Sequence, residues 1–132
     1  MKMISTDKSI HADWEGNNAE ITLQLSVLTF SDEQNIHYAY LPALDITGYG
    51  KNEREAQKSL KIVLHEYLDY TTKHNTLLKD LERHGWIIKR GKQVQPPDWA
   101  TLIGKNKEFN ALVSSNRNFY KTEQAVSIPA FA

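Results

Sequence analysis

Between residues 21 and 70 the apolar residues change their spacing once, at Gly48-Tyr49-Gly50, and that change constrains the fold more than any other feature. Upstream, Ile21, Leu23, Leu25 and Val27 alternate with Thr22, Gln24 and Ser26, the period of a strand with one buried face. Ser31 to Asn35 is polar turn chemistry, and Ile36-His37-Tyr38-Ala39-Tyr40-Leu41 resumes with β-favouring residues. The two segments predict an antiparallel hairpin. Downstream, Ala56, Leu60, Val63, Leu64, Tyr67 and Leu68 form one stripe on a helix over about 53–70. Asn52, with Glu55 three residues on, is the sequence of a capping box. A sheet with one apolar face and a helix with one apolar stripe bury each other. The chain is therefore α+β, a small antiparallel sheet packed against one long helix, with Leu23, Leu25, Val27, Leu60, Val63, Leu64 and Tyr67 as its expected core.

The remaining elements follow from local punctuation. Pro42 ends the second strand or marks an edge, because proline cannot donate to a ladder. Gly48 and Gly50 are expected to make a tight turn, with positive φ at one of them, and to let the chain approach the sheet closely. A short helix is expected from near Thr76 to a glycine cap at Gly85, followed by a brief strand at Trp86-Ile87-Ile88. Gln95-Pro96-Pro97-Asp98 is a rigid turn that opens a helix containing Trp99, Leu102 and Ile103. Phe109, Leu112 and Val113 suit a helical face, although Phe109, Ala111 and Val113 equally suit a strand. Ile10–Trp14 is a candidate strand, and Val126–Pro129 a short closing one. There is no internal repeat and no long linker, so residues 1–132 are expected to form a single domain.

Composition excludes more than it assigns. The chain has no cysteine, which removes disulfide scaffolds, thiol nucleophiles and thiolate zinc sites. Its longest apolar run, Tyr38–Leu41, is far too short to span a membrane as a helix. The first residues lack the apolar stretch of a secretory signal, so a cytoplasmic protein is expected. The formal charge is zero, with 16 Lys and Arg against 16 Asp and Glu. That total is unevenly spread: residues 1–50 carry 2 cations and 7 anions, residues 51–92 carry 10 and 6. A strongly basic nucleic-acid footprint is missing from the whole chain.

Catalytic patterns are equally sparse. His65-Glu66-Tyr67-Leu68-Asp69 begins like a zinc-protease motif, but Asp69 stands where the second histidine belongs. His65 and Asp69 supply two ligands of the three that a catalytic zinc takes from protein. His74 and His84 flank the short helix, while His11 and His37 lie near or in strands. No Gly-x-Ser-x-Gly elbow is present. Gly48-Tyr49-Gly50 lacks both the third glycine of a dinucleotide loop and the Gly-Lys-Ser/Thr of a phosphate loop. Tyr38, Tyr40, Tyr67 and Tyr70 invite comparison with a base-stacking platform, though core or rim packing accounts for at least half of them. No catalytic residue, metal ligand or cofactor is therefore assigned, and no enzyme activity is expected.

Residues 36–70 resemble the HicB-like antitoxin family. In that family a strand ending in an aromatic-rich stretch is followed by Pro-x-Leu, one or two glycines, then Thr/Asn-x-x-Glu-Ala opening a long helix. Pro42, Leu44, Gly48, Gly50, Asn52, Glu55 and Ala56 occupy those positions here. The resemblance implies a small sheet of three or four strands with one main helix, likened to a degenerate ribonuclease H fold. It also implies a non-catalytic antitoxin that covers the active surface of a small basic RNA-cleaving toxin of the HicA kind. Residues 71–125 lie outside the resemblance, as an insertion or extension, and contain no recognition helix rich in Arg and Lys. Weak or no binding to DNA is expected, and a homo-oligomer is open.

An acidic first half suits a basic partner, because opposite fields speed encounter and fix orientation. The expected contacts are Asp32 and Glu33 in the hairpin turn, with Asp45 and Tyr49 near the glycines. A rival from another class is a nucleic-acid-binding regulator that uses Lys51, Arg54, Lys58 and Lys61 at the start of the main helix.

Overall fold

The computed structural model describes residues 11–15, 18–89, 93–115 and 118–129. The element order is β1 (His11–Glu15), β2 (Asn18–Ser31), β3 (His37–Leu41), β4 (Ile46–Gly50), α1 (Glu53–Lys73), α2 (Leu77–Arg83), β5 (Ile87–Lys89), β6 (Gln93–Gln95), α3 (Trp99–Lys105), α4 (Lys107–Ser114) and β7 (Tyr120–Pro129). Residues 1–9, and Ile10 of the expected first strand, lie outside the described residues. The expected α+β class holds.

β2 is the spine. β7 pairs with it antiparallel from Glu20↔Pro129 to Thr29↔Tyr120. Along its other edge lie β1, against residues 18–22, and β3, against residues 28–31. β4 pairs with β3 and closes the far side. The expected hairpin is thus present, and the short closing strand at 126–129 is one end of a ten-residue strand. β5 and β6 form a separate two-stranded ribbon.

Strand alternation gives this sheet two different faces. Leu23, Leu25 and Val27 of β2, Ala39 and Leu41 of β3, and Val126 and Ile128 of β7 are buried on one face. Ala56 and Leu60 of α1, Leu77 and Leu81 of α2, and Trp86 pack against them. Leu28 and Tyr40 point the other way, under Leu102 of α3 and Phe109 of α4. Residues 71–125 are therefore not an appendage to one helix. Their described residues pack on both faces, Leu77, Leu81 and Trp86 on the α1 side and Leu102 and Phe109 on the other. The buried Trp86 indole N–H donates to the Ala43 carbonyl at 2.7 Å, pinning this segment to the turn after β3.

Two expectations about the main helix need correction. Residues 48–50 are not a breaker but part of a paired strand, with Ala39↔Gly48 and His37↔Gly50 in register. Neither glycine has positive φ; among the described residues the left-handed positions are Asn35, Asp45, Asn75 and Gly85. The glycines are needed for closeness. A Cβ on Gly48 would lie 2.2 Å from the Leu60 nitrogen and 2.6 Å from its Cα. One on Gly50 would lie 2.4 Å from Cβ of Glu55. Ala39 and Gly48 make a low surface on the sheet, and α1 turns its own small Ala56 to it and lies nearly backbone to backbone. The second correction concerns Val63, Leu64 and Tyr67, which are half-buried. A helix of 21 residues runs about 31 Å, whereas the five residues of β4 cover about 17 Å, so the second half of α1 outruns β4 and packs only partly against the core.

The caps form as the sequence suggests. Asn52 Oδ1 accepts from the Glu55 N–H at 2.9 Å, and Glu55 Oε1 accepts from the Lys51 N–H at 2.9 Å. Pro42 follows β3 directly, within a turn closed by Leu44 N–H to Leu41 O and Asp45 N–H to Pro42 O. Gly85 ends α2 at φ 98, and Asp98 opens α3 by accepting from the Thr101 N–H.

Candidate binding surface

The second face of the sheet is where polar chemistry and open surface coincide. In antiparallel strands, directly opposed residues share a face. The pairs Phe30↔Tyr38 and Tyr38↔Tyr49 therefore set three aromatic side chains in a row across β2, β3 and β4. The Phe30 and Tyr38 rings stack with centroids 5.2 Å apart. Tyr49, at the open edge, is 66% exposed. The neighbouring row is Leu28, Tyr40 and Thr47, of which the first two are buried beneath α3 and α4.

Each β3 tyrosine ends on an aspartate at one end of its strand. The Tyr38 hydroxyl donates to Asp32 Oδ2, and the Tyr40 hydroxyl donates to Asp45 Oδ1, both at 2.9 Å. Asp32 Oδ1 also accepts the Gln34 and Ile36 N–H groups, so this carboxylate builds the β2–β3 turn. Asp45 holds the left-handed position of the β3–β4 turn at φ 57, a conformation that Asp tolerates better than most residues. Asn106 joins this hairpin to the helices. Its Nδ2 donates to the Tyr40 oxygen at 2.9 Å while its Oδ1 accepts the Phe109 N–H and caps α4.

Between this face and α4 lies a cleft of about 580 Å³, within the size range of ligand sites. Phe30, Tyr38 and Tyr40 form its floor, Leu112 one wall, and Asp45 with Thr47 its polar end.

The four expected contact residues have different fates. Asp32, Asp45 and Tyr49 all belong to this region, and Glu33 is exposed in the same turn as Asp32. Asp32 is committed to the turn, which sequence alone does not show. Pro42, Asn52 and Glu55 are turn and cap residues, as expected, whereas Gly48 and Gly50 are structural as paired β4 residues beneath α1 and not as a turn. Phe30, Tyr38, Asn106 and Leu112 are the members that sequence reasoning missed as a group. The signal was present in phase: Leu28 and Phe30 are large apolar residues on even positions of a strand whose odd positions already fill a core. Tyr67 and Tyr70 lie on α1, so the four tyrosines do not form one platform.

The other candidates resolve as follows. Arg54, Lys58 and Lys61 share the solvent side of α1 beside Glu53 and Gln57, while Lys51 precedes the cap. Tyr49 N–H donates to Ser59 Oγ, so like the Lys51 and Glu55 N–H groups it is taken by a side chain. Asp69 pairs with Lys73 at 3.1 Å. Among the described residues no group of three or more His, Asp or Glu is placed to hold a metal ion. His74 and His84 each turn Nδ1 to a helix carbonyl at 2.8 Å, of Tyr70 and Asp80 respectively. A carbonyl only accepts, so Nδ1 carries the proton in both. Asp80 also receives the Tyr67 hydroxyl and Arg83 Nη2, linking α1 to α2. Burial, and then this hydrogen bond, push the Tyr67 phenol well above its ordinary range. The Asp98 carboxyl is drawn below its usual value by the Thr101 N–H it caps. Neither group lines the aromatic cleft.

No helix among the described residues is long and apolar enough to cross a membrane. The chain matches no protein-family model, no curated protein and no solved structure.

Proposed function

We propose that the chain is a non-catalytic binding module, a HicB-like antitoxin or a derivative of one, which covers a small basic RNA-cleaving protein of the HicA kind. The observation that carries this proposal is the open sheet face. It presents a row of aromatics between two aspartates and beside the acidic turn of Glu33. Aromatic faces and carboxylates together favour cations, which a basic partner supplies. The residues behind the family resemblance are consistent with it, since Gly48, Gly50, Asn52, Glu55 and Ala56 build the junction between β4 and α1.

The test is co-purification with a small basic protein encoded beside this chain, followed by an assay of whether the pair suppresses RNA cleavage. Tight association is expected. Glu33→Lys should slow association more than it speeds dissociation, as rim charges do. Asp32 should be left intact, because its loss would open the turn. Absence of any protein partner would sink the antitoxin function and leave the fold untouched.

A second reading draws on Arg54, Lys58 and Lys61 sharing one face of α1. A nucleic-acid-binding regulator using that face would bind duplexes with affinity that falls steeply with salt. Weak binding at physiological salt is expected instead.

A further inference from the structure

We infer that a second, smaller cavity, between β2, β7 and the start of α3, binds a free α-amino acid with an apolar side chain through Lys121 and Glu123. The inference goes beyond the binding-module proposal and does not rest on it. The cavity forms where the sheet is notched. β1 pairs with residues 18–22 of β2 and β3 with residues 28–31, and between them Pro42 turns the chain away. Pro96 and Pro97 close over Gln24 and Ser26 at this notch, and a proline has no N–H with which to extend a ladder. A hollow of about 230 Å³ remains beside them. At about 30 Å³ per water, that is room for roughly eight waters, or one ligand of roughly eight to ten non-hydrogen atoms.

The wall carries both signs of charge side by side. Ser26 and Glu123 are opposed residues of β2 and β7, and Ser26 Oγ donates to Glu123 Oε2 at 2.6 Å. Lys121, next along the same face of β7, brings Nζ to 3.9 Å from that oxygen, an ion pair too long for a hydrogen bond. The ammonium also lies 4.9 Å from the centre of the Trp99 ring, which in turn stands edge-on to Phe109 at 4.8 Å. Neighbours thus hold both charged groups in place, which lowers the ordering cost of a ligand. An ammonium carries several donors and a carboxylate accepts several hydrogen bonds, so these contacts leave capacity on each. A simple acid would set its carboxylate against Glu123, and a simple amine its ammonium against Lys121. An α-amino acid meets both at once. Its two charged groups sit on one carbon, each about 1.5 Å from it, and so span about the separation of the Lys121–Glu123 pair. Pro96, Pro97, Leu102 and Phe109 supply the apolar lining for its side chain.

The experiment is a titration of the full chain with leucine, followed by amide and tryptophan indole chemical shifts. Three analogues serve as controls: 4-methylpentanoate lacks the amine, 3-methylbutylamine lacks the carboxylate, and 6-aminohexanoate is an isomer of leucine with its charges at opposite ends. Leucine should shift Ser26, Trp99 and Glu123, and should bind on the order of tenfold tighter than each analogue. Lys121→Met keeps a long apolar stem against Trp99, and Glu123→Gln keeps an oxygen that accepts from Ser26, so both variants should fold. Lys121→Met should weaken leucine on the order of tenfold and leave 3-methylbutylamine nearly unchanged. Glu123→Gln should weaken leucine to a similar degree and leave 4-methylpentanoate nearly unchanged. The absence of leucine-dependent shifts at the cavity would overturn the site. Equal affinity for leucine and 6-aminohexanoate would do the same, because the spacing of the two charges would then carry no selectivity. Undiminished leucine binding by either folded variant would also overturn it.

Discussion

The two faces of the sheet are made by the same strands and serve different ends. On the α1 face, Leu23, Leu25, Val27, Ala39 and Leu41 meet helices along the whole length of the contact, and small residues let α1 come down almost to the backbone. On the α3–α4 face, Leu28 and Tyr40 are buried under Leu102 and Phe109, with Phe30 and Leu112 partly buried beside them. Beyond them the surface is polar, with Thr22 bonded to Ser127 and Ser26 to Glu123, and the aromatic row runs outward to Tyr49. A strand that alternates every residue can therefore place stability on one face and recognition on the other. Substitutions one residue apart should have consequences of different kinds.

The largest effect should come from Gly48→Ala. The added methyl would press into the Leu60 backbone, and a main-chain atom of a packed helix cannot step aside. A loss on the order of 3 kcal/mol is expected in chemical denaturation, near the upper end of overpacking effects. A neutral outcome would show that α1 stands too far from β4 for the two backbones to touch.

Next come Leu25→Ala and Leu28→Ala, on opposite faces and both fully buried. Each should cost about 2–3 kcal/mol, the lower part of the range for a buried leucine. Hydrogen exchange should separate them: Leu25→Ala should release α1, and Leu28→Ala should release α3 and α4 while α1 keeps its protection. Uniform release in both variants would mean that the faces are one cooperative unit. Leu64→Ala should fall lower, about 1–2 kcal/mol, because its side chain is half-buried before any truncation.

Smaller still is the pH response of the α1–α2 link. Folding holds the Tyr67 phenol above its ordinary pKa near 10, so the unfolded chain loses that proton first. Its contribution is complete below about pH 10 and declines as pH rises further. Tyr67→Phe should flatten the fall in unfolding midpoint between about pH 10 and 11. An unchanged slope would assign the alkaline loss to other groups. The smallest effect expected is a gain. Gly104 sits in α3, where an added Cβ would meet nothing within 4 Å, so Gly104→Ala should stabilise by about 0.5–1 kcal/mol in the same denaturation assay.

Much of the fold was legible because its signals are local. The alternation at 21–27, the stripe from Ala56 to Leu68, the Asn52–Glu55 cap and Gly85 each depend on residues within a turn or two of one another. The Gly48–Gly50 segment was misread because glycine is ambiguous in one dimension. A turn and a close approach both require a missing Cβ, and only the position of Leu60 tells them apart. The candidate site was legible in part. Asp45 and Tyr49 were found by charge and exposure, but Phe30, Tyr38 and Asn106 were not seen to belong with them.

The amino-acid sequence by itself determined the β2–β3 hairpin, the long helix with its cap and one buried face, since backbone periodicity and capping are settled between near neighbours. The tertiary structure alone decided that residues 71–125 wrap to the second face, that Asp32 is spent on a turn, and that Asn106 meets Tyr40 and Asp45 across more than sixty residues. Those outcomes depend on strand pairing between distant segments. Registers such as Phe30↔Tyr38↔Tyr49 are fixed only when the competing faces of every strand have found something to bury them.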